Sequence, residues 1–307
     1  MKIAVVFPGQ GSQNKSMLDS FTNIDTFQNT LSKASAILNY EIKEIVNDDS
    51  RLNNTIYTQP IMLAVTYAIW EIFQTRYDPK ITIAAGHSLG EYSALVANNT
   101  ISFEDGLQLV QKRAAFMSKV MENVNGAMAA VIGLDGNIVN DICRASTKDN
   151  EIIEAVNFNC PGQTVIAGHS VAIDNITPIL KNEGAKIVKK LPVSIAAHTS
   201  LLKSVASELE NELQKISFNT STFDVIHNYD LSISKSDKNL KNALSQQVCS
   251  PVRWIETCEK FKSDKITDII EIGPGNVLAG LVKRFDKSIT VHSTNTLEDI
   301  KILAKAL

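Results

Sequence analysis

Residues 81–97, ITIAAGHSLGEYSALVA, constrain this chain more than any other stretch. The apolar run at 81–85 reads as a buried strand, and a helix begins near Ser88. Between them, Gly86-His87-Ser88-Leu89-Gly90 fits the G-x-S-x-G pattern of a sharp strand-to-helix turn with a serine hydroxyl at its tip. That turn demands a strand before it and a helix after it, and both are legible here. The first amides of the helix, notably that of Leu89, would face a negative charge developing beside Ser88.

The same alternation runs through much of the chain. KIAVVF at 2–7 is a short β-branched run ending in PGQGSQ, hence a strand feeding a loop. QPIMLAVTYAIWEIF at 59–73 has helix length, with Pro60 suited to a first turn. Residues 103–121 form a further helix pattern, with acids in the first turn and basic residues further on. TDIIEIGPGNVLAGLVKR at 267–284 gives a strand, a turn and a helix again. Strands alternating with helices predict a mostly parallel α/β core. Residues 126–191 change rhythm: GAMAAVIGL, EIIEAVNFN, QTVIAGH and AKIVKKL are strand-like, and NIVNDICRAS and VAIDNITPILKNEG helical. The order β-α-β-β-α-β within about 65 residues is the ferredoxin-like pattern. The expected division is therefore 1–125 and 193–307 for a large domain and 126–192 for an inserted subdomain. Within the second part, 199–216 read as helical and 217–239 as loops with at least one strand.

Composition excludes several classes. The 307 residues carry 30 Lys plus Arg against 33 Asp plus Glu, a formal charge of -3, with 44% hydrophobic residues. These values fit a soluble globular protein, and no arginine block suggests a nucleic-acid arm, although a local basic patch stays open. The apolar stretch Ile61 to Trp70 is broken by Thr66 and far short of a membrane span. Residues 1–16 offer no basic segment followed by an apolar one, so a cytoplasmic setting is expected. Cys143, Cys160, Cys249 and Cys258 are scattered without a CxxC pair and read as reduced thiols; the five histidines are too dispersed for a metal motif. The glycine-rich loops at 9–13 and 273–275 lack the endings of phosphate- or dinucleotide-binding loops. The motifs favour acyl transfer.

A nucleophilic serine needs a base. His198, in LPVSIAAHTSLL, lies where the chain re-enters the large domain; its spacing suits a base and equally a structural histidine. His87 should point away from Ser88, and His169, His227 and His292 read as surface or packing residues. Gln10 would abut the turn if the first strand and strand 81–85 are adjacent and central. Arg113 lies on the next helix, one of only six arginines beside 24 lysines. A guanidinium suits a bidentate clamp on a carboxylate; on an exposed helix face it would merely cover its neighbours.

Taken together, FPGQGSQ at 7–13, QP at 59–60, AGHSLGEYSAL at 85–95, QKRAAFM at 111–117, VNFNCPGQTVIAG at 156–168, LPVSIAAHTSLL at 191–202, QVCSPVRW at 247–254 and EIGPGNVLAGLVKR at 271–284 span essentially the whole chain. In this order they strongly resemble the malonyl-CoA:acyl carrier protein transacylases of type II fatty-acid synthesis. The resemblance implies an α/β-hydrolase-like large domain with an inserted ferredoxin-like small subdomain. It implies transfer of malonyl from malonyl-CoA to the phosphopantetheine thiol of holo acyl carrier protein, through a malonyl-serine ester and with no tightly bound cofactor or metal. Ser88 then matches the nucleophile, His198 the base, and Arg113 the partner of the malonyl carboxylate. Gln10 and Leu89 match the oxyanion-hole amides, and Gln247 the residue whose backbone carbonyl orients the histidine.

The chain departs from the family's pattern at Ala196 and Ala197, where a proline is common, and acyl selectivity is what this touches; Thr199, after the histidine, stands where Ser or another small polar residue is common. A serine hydrolase or thioesterase, an acyltransferase with another acyl donor, and a catalytically silent carrier-binding module are the rival readings. Two basic clusters, Lys181, Lys186, Lys189 and Lys190 and then Lys283, Arg284 and Lys287, could steer an acidic carrier or be ordinary solvated faces. A monomer is expected, with no nucleic-acid partner and no membrane insertion.

Overall fold

The computed structural model describes residues 2–77, 80–193, 195–234 and 236–306. Ser194, inside the 191–202 motif, and the end positions Met1 and Leu307 lie outside the described residues. The strands, in chain order, are β1 (Ile3–Phe7), β2 (Ile81–Gly86), β3 (Gly126–Ile132), β4 (Ile153–Cys160), β5 (Gln163–His169), β6 (Ile187–Lys190), β7 (Asp224–Ile226), β8 (Asp268–Glu271) and β9 (Thr290–Ser293).

Every residue of β1 is buried because it runs through the middle of a sheet ordered β7-β2-β1-β8-β9, all of its pairings parallel. Ile3, Val5 and Phe7 feed the apolar core on one face, and Ala4 and Val6 the core on the other. A strand covered on both faces has no solvent side, which is why its sequence is apolar without alternation. Phe7 pairs with Gly86, so the loops leaving β1 and β2 emerge side by side. That adjacency brings PGQGSQ to the serine turn, as the sequence suggested.

The helix expected over 59–73 spans Thr55–Tyr77. Asn54 Oδ1 accepts the Ile56 N–H at 3.1 Å and starts it more than a turn earlier. Pro60 consequently sits in the second turn rather than the first. The helix expected over 103–121 runs from Phe103 to Met121, capped by Ser102, whose hydroxyl accepts the Asp105 N–H. Over 199–216 the first turn is a 3₁₀ segment, Ser200–Leu202, before the helix Lys203–Leu213. Among the described residues no helix is long and apolar enough to cross a membrane.

The second sheet is antiparallel, ordered β4-β5-β3-β6, with the helices Gly136–Ser146 and Ser170–Asn182 packed on it. This is the ferredoxin-like arrangement expected from the element order. It has a core of its own, built around Val131, Val139, Ile166, Ile173 and Leu180. The smaller sheet meets the larger body where Asn157 on β4 bridges Val252.

Candidate active site

Ser88 stands between β2 and the helix Leu89–Ala97 with φ 53° and ψ -110°, a backbone conformation that side chains rarely adopt. Its neighbours are packed too closely for anything larger than glycine. A Cβ on Gly90 would lie 1.9 Å from the Phe7 carbonyl oxygen, and one on Gly9 2.5 Å from the His87 carbonyl oxygen. The two glycines therefore let the β1 loop and the serine turn touch backbone to backbone.

The strained turn is held by hydrogen bonds. The Ser88 N–H donates to Asn228 Oδ1 at 2.7 Å, and Asn228 Nδ2 donates to the Gly86 carbonyl at 2.7 Å. Asn228 is itself fixed by its backbone N–H, which donates to Glu91 Oε2. Glu91 is fully buried, its other oxygen 2.7 Å from His227 Nδ1. His227 is thus a buried member of a polar network rather than a surface residue.

Ser88 Oγ lies 2.7 Å from His198 Nε2, across 110 residues of sequence. On the opposite side of the ring, Nδ1 lies 2.9 Å from the Gln247 backbone carbonyl. A carbonyl only accepts, so this contact places the proton on Nδ1 and leaves Nε2 as an acceptor for the serine proton. Burial, reinforced by the nearby Arg113 charge, pushes His198 down to about 3, and the Gln247 carbonyl works against that shift. The ring is therefore neutral near pH 7. A carboxylate is absent from the third position, which a backbone carbonyl occupies.

Arg113 is 1% exposed, not an outward-facing helix residue. One terminal nitrogen donates to Gln59 Oε1 at 2.6 Å, and the other to Gln247 Oε1 at 3.1 Å and Ser88 Oγ at 3.3 Å. Its Nε has no acceptor, and its guanidinium lies 5.5 Å from the centre of the Tyr92 ring. Among the described residues no carboxylate pairs with it directly. The nearest anionic link is through Gln247, whose Nε2 donates to Glu91 Oε2 and to the Ser88 carbonyl.

These groups border a cavity of about 370 Å³, lined from one side by Gln10, Ser88, Leu89 and Arg113 and from the other by Met128, Asn157 and Leu191. Leu89 opens its helix, so its N–H is one of those a helix leaves without an internal acceptor. The Gln10 side chain meets the Thr55 hydroxyl at 3.1 Å, which anchors the loop carrying its backbone amide. His87 turns away and meets Asn159 Oδ1 at 2.8 Å. None of the four cysteines lines the cavity; burial pushes Cys143 and Cys258 up to about 12. Among the described residues no group of three or more His, Cys, Asp or Glu could hold a metal ion.

Five of the six residues singled out in the sequence thus line one cavity, and the sixth, Gln247, is buried behind it against Arg113, His198 and Ser88. The roles of Gln59, Glu91, Asn228 and the Gln247 side chain went unseen. Glu91 stands three residues after Ser88 and Gln59 beside Pro60, both in quoted motifs, but neither position indicated a contact.

A parallel α/β sheet with a serine on a strained strand-to-helix turn, a histidine against it and an antiparallel subdomain closing the cavity defines an acyltransferase. The chain belongs to the acyl transferase domain family, whose model matches residues 4–303. It is 38% identical over 310 residues to the malonyl CoA-acyl carrier protein transacylase of Haemophilus influenzae, covering 100% of this chain and 99% of that one. The solved malonyl CoA-acyl carrier protein transacylase of Coxiella burnetii superposes with a TM-score of 0.97 at 37% identity, over 100% and 98% of the two chains. A malonyl-transacylase solved with its type II polyketide acyl-carrier protein gives 0.97 at 36% identity, over 100% of both.

Proposed function

We propose that this chain transfers malonyl from malonyl-CoA to the phosphopantetheine thiol of holo acyl carrier protein by a ping-pong route. One observation carries the choice of acyl group: Arg113, buried beside Ser88 Oγ, has only neutral hydrogen-bond partners. A desolvated cation with spare donor capacity favours a substrate that brings its own carboxylate.

In this reading His198 takes the Ser88 proton as Oγ attacks the thioester carbonyl. The amides of Gln10 and Leu89 stabilise the oxyanion, a contribution of roughly 3 kcal/mol per donor. The C–S bond breaks, His198 returns the proton to the departing CoA thiolate, and malonyl remains on Ser88 as an ester. The carrier thiol then gives its proton to His198, attacks the ester and leaves with malonyl, and Ser88 recovers its proton. No cofactor enters either half. Gln247 has two tasks, with its carbonyl orienting His198 and its side chain orienting Arg113.

We also propose the division 1–125, 126–192 and 193–307, a cytoplasmic setting and a working monomer without nucleic-acid partners. The separate apolar core within 126–192 supports the division.

Mass spectrometry after incubation with malonyl-, methylmalonyl- or acetyl-CoA tests the reading. The expected result is one malonyl adduct on Ser88, removed by holo carrier protein much faster than by water. Release to water alone would favour a thioesterase, and labelling at another residue would reject Ser88.

A further inference from the structure

Asn157 takes no part in the mechanism above, yet it lines the same cavity and is 9% exposed. Its Oδ1 is buried without a hydrogen-bond partner, and its Nδ2 donates to nothing among the described residues. A buried acceptor left without a donor is costly, and in a folded protein it calls for a partner. Asn159, two residues on, has its Oδ1 engaged by His87. The contrast lies between two asparagines on one strand, one satisfied by the protein and one not.

The strand is shaped to produce this. Along β4, Ile153 and Ala155 face the core of the smaller sheet, while Val156 packs on the other side with Met128 and Ala196. Strict alternation would return Asn157 to the apolar core. Instead the pairing with β5 slips, Ala155 opposing Ile166 and Asn157 opposing Val165. Phe158 then resumes the inward direction. A bulge of this kind re-aims one side chain. The Val252 backbone holds it on both sides, donating to the Val156 carbonyl and accepting from the Phe158 N–H.

We infer that Asn157 binds the amide of the pantetheine arm nearest the sulfur, a group shared by CoA and the carrier prosthetic group. The unpartnered atom, Oδ1, is an acceptor, and a secondary amide supplies one N–H donor to meet it, while its trans carbonyl points the other way. The inference rests on the transfer reading above, because it requires a pantetheine thioester at Ser88. It makes Asn157 a substrate-binding residue serving both half-reactions, with Arg113 gripping the acyl end and Asn157 the thiol end.

The test compares two small substrates: malonyl N-acetylcysteamine thioester, which keeps that amide, and malonyl S-pentyl thioester, which has the same length without it. Rates of Ser88 malonylation are measured for the wild type, Asn157→Ala and Asn157→Leu, and corrected for each thioester's reactivity toward hydroxide. The wild type is expected to favour the amide-bearing thioester by about 3- to 10-fold, the value of one neutral hydrogen bond, and the variants to lose that preference. A wild type without the preference, which needs no variant to fold, overturns the inference; so do variants that retain it in full. If neither thioester, nor malonyl-CoA itself, esterifies Ser88 in the wild type, the transfer reading fails and takes the inference with it.

Discussion

Arg113 carries a positive charge in a place that solvent hardly reaches, and its three hydrogen-bond acceptors are all neutral. In the proposed role, replacing it with alanine would remove a charge-assisted pair and strand the malonyl carboxylate in the cavity. Malonylation of Ser88 is expected to fall about 100-fold or more, as for breaking a buried ion pair, while any acetylation falls far less. Stopped-flow acylation with the two CoA esters measures this, and equal losses would reject the assignment. Gln247 separates two roles within one residue. Gln247→Ala keeps the carbonyl behind His198 but removes the link to Arg113, so the malonyl-to-acetyl ratio is expected to drop about tenfold with acylation still measurable.

The pH dependence also follows at this scale. As the proposed base, His198 works while neutral, so activity is expected to be lost as pH falls through its pKa, which burial and then Arg113 press below the ordinary 6.5 to about 3. A carboxylate paired with Arg113 offsets the second of those causes, so the pKa rises in the complex. The acid limb of kcat is therefore expected at higher pH than that of kcat/KM, which reports the free protein. Coincident limbs in the two profiles would count against this coupling.

At the scale of elements, Gly90 shows why the serine turn was legible. Its constraint is local, since a Cβ there would meet the Phe7 carbonyl at 1.9 Å, and backbone cannot yield as a side-chain tip can. Gly90→Ala is expected to cost at least about 3 kcal/mol, the upper end of overpacking effects, read as a lowered urea midpoint. An unchanged midpoint would mean that the two loops separate freely. The strands β1 and β8 and the inserted sheet were equally readable, because buried runs and element order are properties of neighbouring residues; the edge strand β9, none of whose residues is fully buried, was not read. The start of the helix Thr55–Tyr77 was not, since Asn54 caps it ahead of the apolar run that marked it. The Asn228 contacts lay further out of reach. They join positions about 140 residues apart, and nothing near Asn228 distinguishes it from a loop asparagine until β7 pairs beside β2.

At the scale of the whole molecule, the net charge of -3 is a poor guide to an acidic partner, because what matters is where the cations stand relative to the cavity. Lys189 and Lys190 end β6, are exposed, and run directly into Leu191, Pro192 and Val193 on the cavity wall. Lys190 is engaged with Asp174 at 2.8 Å, whereas the exposed Lys189 projects from the same strand end. Lys283 and Arg284 lie in the last turn of the helix Val277–Phe285 and Lys287 just beyond it, with Arg284 donating to Gln163. Sequence continuity with the wall favours the first cluster for receiving the carrier. Reversing Lys189 and Lys190 to glutamate is expected to raise the carrier-protein KM several-fold in low salt. Exposed charges are screened within about 8 Å at physiological ionic strength, so the effect shrinks as salt is added. Formation of the malonyl-enzyme from a small malonyl thioester, which involves no carrier, is expected to change much less. A carrier KM unmoved at every salt concentration would shift the docking assignment to the second cluster, where the corresponding reversals at Lys283 and Lys287 would have to move it.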